Sequence, residues 1–525
     1  MSDNLGIFFI LAKIEIAFLW ESRKLPFAMM IRFFLLFSFS AALFSSAEST
    51  VCPNVVILYA DDMGVADVSY GNPEAKIQTP NIDRLAERGM TFSDGHSSSG
   101  ICTPSRFALL TGQHHWRRFH GIVNAFGKSV FEPDEFTIAR MLKKQGYRTG
   151  CFGKWHLGWD WNAIRKPGEK ARAPEAEAYD WSKPFPKGPL DQGFDRYFGD
   201  GTINFPPYCW IDNDRFATIP TKPVMKSRPL AGGGSFRPGP MAEDWNPSDV
   251  LPTITEKAVE WIEGQGEKPF FAYLAFNSPH YPIVPNEEFH GKSQAGYYGD
   301  FMIETDAMVG KVIAALEKKG LLDNTIVIFT ADNGAETLAF SRLEKFDHWS
   351  SGDFRGLKRD VYEGGHRVPF IVSWPERIAA GSSSDEVVSQ VDLAATLAEI
   401  TGYALSNEEA IDSYSLLPVW TGKDYESPLR VATVQNTSAK VYALRQGDWV
   451  FINSFTGASQ KEGETYLEHF GLETYSKETK MLLFNLRGDP RQSKNVAKDY
   501  PDKIAAMNKL LEEYIGGKRC APKRN

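Results

Sequence analysis

Four times in this 525-residue chain a short run of apolar residues stops abruptly at a cluster of polar ones. Residues 54–60 run into Asp61-Asp62-Met63-Gly64, and 147–152 into Gly153-Lys154-Trp155-His156. Residues 269–276 run into Asn277-Ser278-Pro279-His280, and 324–330 into Ala331-Asp332-Asn333-Gly334. Short unbroken runs of this kind are typical of strands buried on both faces. Helical patterns precede three of them, over 137–145, 252–263 and 299–319. A further helix over 82–88 is opened by Thr79-Pro80-Asn81 and closed by Gly89. The alternation predicts an α/β fold, a large mainly parallel sheet sandwiched by helices. Open α/β sheets bind ligands outside the carboxyl ends of their strands, which is where all four polar clusters fall.

The rest of the chain is arranged around this core. Residues 1–47 read as a signal peptide with an over-long start. Met30-Ile31-Arg32 precedes an apolar run, 33–44, and Ser45-Ser46-Ala47 offers the small residues of a cleavage site. Translation is expected to begin at Met29 or Met30, and the mature protein to be secreted or periplasmic. An earlier apolar stretch, 7–20, is broken by Lys13 and Glu15 and is too short for a stable membrane span. Residues 48–426 are expected to form the main α/β domain. Inside it, 159–250 is rich in Pro, Gly, Trp and charge and reads as an irregular insertion bearing on specificity. From Ser427 short alternating runs (430–435, 441–445, 449–453, 481–485) and one late helix (501–514) predict a C-terminal α+β subdomain, 427–525, with a small antiparallel sheet.

A formal net charge of −8 argues against nucleic acid as the main partner. Any site for an anionic ester must then be basic locally. Five cysteines (52, 102, 151, 209, 520) are too few for a disulfide scaffold. In an oxidising compartment the four other than Cys102 could form up to two bridges, with the pairing open.

Cys102-Thr103-Pro104-Ser105-Arg106 continues through Phe107-Ala108-Leu109-Leu110-Thr111-Gly112. Pro104 suits the first helical position, where a missing N–H is no loss. Position 102 would then sit at the positive end of a helix dipole, which favours an oxyanion or a sulfate. A lone cysteine there is ordinarily a small buried side chain. The eleven-residue run resembles the maturation signature of the type I, formylglycine-dependent sulfatases, arylsulfatase-like members of the alkaline phosphatase superfamily. In that family the cysteine is oxidised to an aldehyde whose hydrate is the nucleophile. The resemblance implies formylglycine at Cys102, installed by a formylglycine-generating or sulfatase-maturing enzyme. Gly146-Tyr147-Arg148-Thr149 through Gly153-Lys154-Trp155-His156 resembles the second signature, departing at Phe152, where a smaller residue is usual. Arg355-Gly356-Leu357-Lys358, with Leu357 replacing a common glycine, leads into a further match from Glu363 to Pro369. Leu483-Phe484-Asn485-Leu486 with Asp489-Pro490 resembles the family's closing motif.

Read alone, Asp61-Asp62 is a turn or helix cap, and Asp332-Asn333-Gly334 a turn. Together they bring four hard oxygen donors to strand ends, a set that suits Ca²⁺ better than zinc. The resemblance assigns Asp61, Asp62, Asp332 and Asn333 as calcium ligands, Mg²⁺ being the weaker option, with the group at Cys102 completing the shell. It further implies that Arg106 neutralises the site and orients the diol, that Lys154 contacts sulfate, and that His156 hydrogen-bonds the diol. His280 and Lys358 would contact sulfate and the bridging oxygen, with His280 protonating the leaving alcohol, a transfer suited to a group that titrates near neutrality. The implied reaction is hydrolysis of a sulfate ester to inorganic sulfate.

Export and the long insertion favour a sulfated carbohydrate over a small aryl sulfate. Trp155, Trp159, Trp161, Trp181, Tyr197, Tyr208 and Trp210 lie in or beside the insertion, and either stack on sugar faces or pack its loops internally. Two other functions share parts of this pattern. One is a phosphoester or phosphonate ester hydrolase of the same superfamily, whose two-zinc forms need an Asp-His where this chain has Asp332-Asn333. The other is a non-catalytic protein that binds sulfated glycans and never matures Cys102.

Overall fold

The computed structural model describes residues 52–224, 230 and 232–524. The signal peptide and start site expected within 1–47 lie outside the described residues. A ten-stranded sheet dominates. Its centre is five parallel strands: β1 (Asn54–Ala60), β2 (Arg148–Lys154), β3 (Arg196–Gly201), β4 (Phe270–Ala275) and β5 (Thr325–Ala331). Their spatial order is β5-β1-β4-β2-β3. Residues 370–373 add to β5 in antiparallel sense, so the sheet is mixed at its edges.

Every residue of β1, β4 and β5 is buried, which is why these strands read as continuous apolar runs. Alternation along β1 still sorts its side chains between two cores. Val55, Ile57 and Tyr59 face one, with residues of the helices Cys102–Thr111, Ile138–Lys144 and Leu393–Thr401. Val56, Leu58 and Ala60 face the other, with residues of Pro80–Glu87, Val250–Glu263 and Gly296–Lys318. Two helical layers thus bury both faces, as the alternation predicts.

The stretch 159–250 holds more structure than its sequence suggests, because β3 lies within it and pairs directly with β2. Gly199, Asp200 and Gly201 dilute the apolar signal of that strand. The aromatic residues of the stretch are core. Trp159, Trp161 and Trp181 are each under a tenth exposed and pack against Phe185 and Phe216, with Trp161 and Phe185 rings 4.7 Å apart. Trp155, Tyr197, Tyr208 and Trp210 are likewise buried. Of the two readings of these side chains, internal packing is the one the structure bears out.

Four antiparallel strands, Thr433–Asn436, Tyr442–Gln446, Trp449–Ile452 and Leu482–Asn485, form the second sheet in chain order. Met507 and Leu511 of the last helix, Pro501–Gly516, pack with Leu444 and Phe451 of that sheet. Buried ion pairs join residues beyond 427 to the rest of the fold: Arg445 to Asp94 at 2.9 Å and Glu462 to Arg355 at 2.7 Å. All five cysteines are free, so neither of the two allowed bridges forms. No helix of the described residues is long and apolar enough to cross a membrane.

Candidate active site

The four polar clusters converge at the carboxyl ends of β1, β2, β4 and β5. After β1 the chain bends at Asp61, and Asp62 turns to φ +64°. Consecutive strand residues ordinarily point to opposite faces. The left-handed residue breaks that alternation and lets both carboxylates serve one site. Asp332 follows β5 directly and receives the Asp62 N–H at 3.2 Å, while Asn333 Nδ2 donates to Asp62 Oδ1 at 2.7 Å. Gly334 is demanded by packing, since a Cβ there would sit 2.0 Å from the Gly364 carbonyl oxygen.

Cys102 opens the helix Cys102–Thr111, so Pro104 occupies the third helical position, still inside the turn that lacks N–H partners. Gly112 ends the helix in left-handed conformation (φ +64°). The Cys102 thiol faces Asp61 Oδ1 at 3.8 Å. Arg106, one turn on, is fully buried. Its Nε and Nη2 donate to Asp332 Oδ2 at 3.0 and 2.8 Å, and Nη2 lies 3.6 Å from Asp61. Lys154, at the end of β2, donates to Asp61 Oδ2 at 2.5 Å, and Lys358 donates to Asp62 Oδ2 at 2.7 Å.

Three carboxylates therefore face three cations without solvent between them. Burial pushes Asp61 up to about 7 against the pull of Lys154, with Asp332 and Asp62 adding repulsion. Burial raises Asp62 as well, against the pull of Lys358. Asp332 goes the other way: burial would raise it, but Arg106, Lys154 and Lys358 outweigh that. Both lysines stay charged despite burial, Lys154 because of Asp61 and Lys358 because of Asp62. Lys154 and Asp61 each favour the other's charged form, but at Asp61 burial and two further carboxylates outweigh that help. Burial and Asp332 lift the Cys102 thiol to about 12, so this is no thiolate nucleophile.

The two histidines are held differently. His280 Nδ1 donates to the Tyr281 carbonyl, which turns Nε2 inward, 3.5 Å from Asp62. His156, at φ +53°, spends Nε2 on the Val123 carbonyl at 2.9 Å, and its buried Nδ1 has no partner. It joins Cys102 indirectly, through the Thr103 hydroxyl, which donates to the His156 carbonyl at 2.8 Å. Burial holds both rings neutral, with Lys358 adding at His280 and Lys154 at His156.

The donor set fits a hard cation. Ligand atoms of Asp61, Asp62, Cys102 and His280 lie within 4.8 Å of one another. Asn333 Oδ1, buried beside them, has no hydrogen-bond partner, an uncommon condition for a buried polar atom. Oxygens dominate this set, as Ca²⁺ prefers.

Both departures from the family pattern are absorbed by packing. Phe152 lies over Gly150, where a Cβ would approach its ring to 2.8 Å, and against Trp261. Leu357 is wholly buried with Trp349 and Tyr466, while Gly356 alone takes positive φ. Sequence reasoning missed Glu336, which lies 3.5 Å from Lys358 Nζ and pairs with Arg359 at 3.0 Å. Its signal was an acid two residues beyond Asp332-Asn333-Gly334. It also missed Asp200, hidden in the irregular stretch.

Fold and site define an α/β enzyme whose strand ends gather buried carboxylates and lysines around a helix N-terminus, a centre built for an anionic ester. The sulfatase family model matches residues 53–403, and the chain belongs to that family. The N-acetylgalactosamine-6-O-sulfatase of Bacteroides thetaiotaomicron is 31% identical, over 89% of this chain and 94% of its own. Human arylsulfatase A is 30% identical over 87% of each chain. A solved 6S-sulfatase from the glycosaminoglycan-metabolising locus of Bacteroides thetaiotaomicron superposes with a TM-score of 0.73 at 29% identity, covering 89% of this chain and 99% of that one.

Proposed function

We propose that this sulfatase releases inorganic sulfate from a sulfated carbohydrate, with Cys102 matured to formylglycine and Ca²⁺ held by Asp61, Asp62, Asp332 and Asn333. The observation that carries the reading is the meeting of Cys102, Arg106, Lys154 and Lys358 on one buried carboxylate cluster. A hydrated aldehyde at 102 supplies two hydroxyls on one carbon, one to attack sulfur and one to expel sulfate. A bound divalent cation supplies positive charge where the attacking oxygen becomes anionic.

The chain's own groups do the rest. Arg106 keeps Asp332 ionised and fixes its orientation. Lys154 and Lys358, preorganised by Asp61 and Asp62, offer ammonium donors to the sulfate oxygens, where fixed charge in a dry site acts most strongly. His280 turns Nε2 toward the departing oxygen. With Nδ1–H already given to the Tyr281 carbonyl, Nε2 must first take up a proton, which the negative charge of a bound sulfate ester favours, before passing it to the leaving alcohol. His156, anchored on Val123, keeps Nδ1 free as an acceptor for a diol proton.

The names of the relatives put 6-sulfated N-acetylgalactosamine first among substrates to try. Export belongs to the same reading, since polymeric sulfated glycans are met outside the cytoplasm, and N-terminal sequencing of exported protein should begin at Glu48 or a near neighbour. The decisive experiment pairs peptide mass spectrometry of the Cys102 segment with sulfate release from sulfated mono- and oligosaccharides. Loss of the thiol, capture by an aldehyde reagent and sulfate release are expected. An intact thiol with glycan binding but no release would make the protein a binder. Release of phosphate in preference to sulfate would favour the phosphoester reading.

A further inference from the structure

The end of β2 carries Lys154 and His156, and it is stitched to the end of β3. The Trp155 and His156 N–H groups both donate to the Gly201 carbonyl, at 3.0 and 3.2 Å. This brings Asp200 and Thr202 alongside the catalytic cluster. Asp200 is 2% exposed, and apart from its own backbone N–H neither carboxylate oxygen has a hydrogen-bond partner. Thr202 Oγ1 and His156 Nδ1 are buried and unpartnered too. All three side chains line one narrow cleft whose apolar walls include Trp159 and Phe205. Nothing in the fold explains a carboxylate left in this condition. Buried polar groups are nearly always paired, and an unpaired carboxylate costs more than any other arrangement of the same residue.

Three of these four atoms, the Asp200 oxygens and His156 Nδ1, are acceptors, so the cleft calls for donors. The cleft is small, and a hydroxyl group fits within it. Resting on the carbohydrate reading above, we propose that Asp200 is a specificity-determining residue: it accepts a hydrogen bond from a hydroxyl of the sulfated sugar, with Thr202 as a second contact. The chemistry selected is a polyol ring. A small aryl sulfate offers no such donor. A site built to hydrogen-bond a hydroxyl discriminates strongly against analogues that lack it, because its own polar groups are then left unpaired.

The test is a cycle of enzyme and substrate changes on matured, calcium-loaded protein. Wild type and Asp200→Asn are assayed on the best sulfated monosaccharide and on its monodeoxy analogues, with thermal unfolding recorded for both proteins. Asp200→Asn is expected to lower kcat/KM on the full sugar by roughly 10- to 100-fold, as for a hydrogen bond to a charged group. One deoxy analogue should cost the wild type a similar factor and cost the variant almost nothing further. A penalty equal for every analogue, or a variant that unfolds early and loses activity on all substrates alike, would make Asp200 structural and overturn the assignment. So would an unchanged kcat/KM, the result if only water occupies the cleft. Wild type that cleaves aryl sulfates but no sulfated sugar would instead overturn the carbohydrate reading, and this inference with it.

Discussion

Arg106 sets two of its nitrogens, Nε and Nη2, on a single oxygen of Asp332, and neither side chain has any exposure to solvent. Breaking one half of a fully buried pair leaves the other charge uncompensated, which costs about 3–5 kcal/mol. Arg106→Ala should lose stability on that scale by urea denaturation and lose turnover entirely. Arg106→Lys should recover only part of the loss, because a lysine cannot supply the guanidinium fork. A destabilisation below about 1 kcal/mol, in the range of an exposed pair, would contradict the electrostatic account of the cluster.

Cys102→Ser separates attack from release. A serine hydroxyl can displace the alcohol but has no second hydroxyl on its carbon with which to expel sulfate. At most one turnover is expected, with intact-protein mass spectrometry showing one retained sulfate on the peptide containing position 102. Steady turnover by this variant would remove the need for a diol.

Calcium should show itself in stability as well as in rate. A ligand present at a hundred times its dissociation constant stabilises the folded state by about 2.7 kcal/mol. Chelated protein is therefore expected to gain Tm on adding Ca²⁺, and less with Mg²⁺, which tolerates fewer and more rigidly placed oxygens. Asp332→Asn and Asn333→Ala should each blunt that gain. An identical Tm with and without Ca²⁺ would remove the metal from the proposal.

Much of the site was legible because chemistry and fold mark the same residues. β1, β4 and β5 are buried on both faces, so their ends are sharp in the sequence, and the functional side chains follow at those ends. Two things were not legible. β3 carries glycines and Asp200 where a strand ordinarily carries branched apolar residues, so pairing with β2, a non-local contact, alone reveals it. The roles of the tryptophans depended on burial, which composition does not set: Trp155 and Trp159 are as plausible against a sugar as against Phe131 and Phe185, the rings they actually meet. Glu336 was obscured for a similar reason, since only the returning loop that carries Lys358 and Arg359 gives it partners.

His280→Ala tests proton delivery through the leaving group. Removing a general acid costs about 10²- to 10⁴-fold when the departing oxygen is a poor leaving group. That loss is expected on a sugar sulfate. On a nitrophenyl sulfate, whose phenolate leaves without a proton, the loss should be under about tenfold. Equal losses on both substrates would reassign His280 to sulfate binding, consistent with its inward Nε2 near Asp62.

Asp200 also makes a prediction about stability that is independent of turnover. Burial pushes its carboxyl from 3.8 up to about 7, with Lys154 offering partial relief and His156, Tyr197 and Cys209 the other titratable groups around it. A group whose folded pKa is raised binds its proton more tightly in the native state. Its stabilising effect is complete below pH 4 and is lost as the pH climbs through 7. The loss amounts to on the order of 4 kcal/mol for a shift of this size. Asp200→Asn removes that dependence, so the variant should match wild type near pH 4 and exceed it in Tm above pH 7. Both proteins are compared with Ca²⁺ present, because Asp61, raised to about 7 in the same window, adds its own slope. A variant less stable than wild type at pH 8 would mean that the Asp200 carboxylate is paired in solution, and the cleft beside it already satisfied.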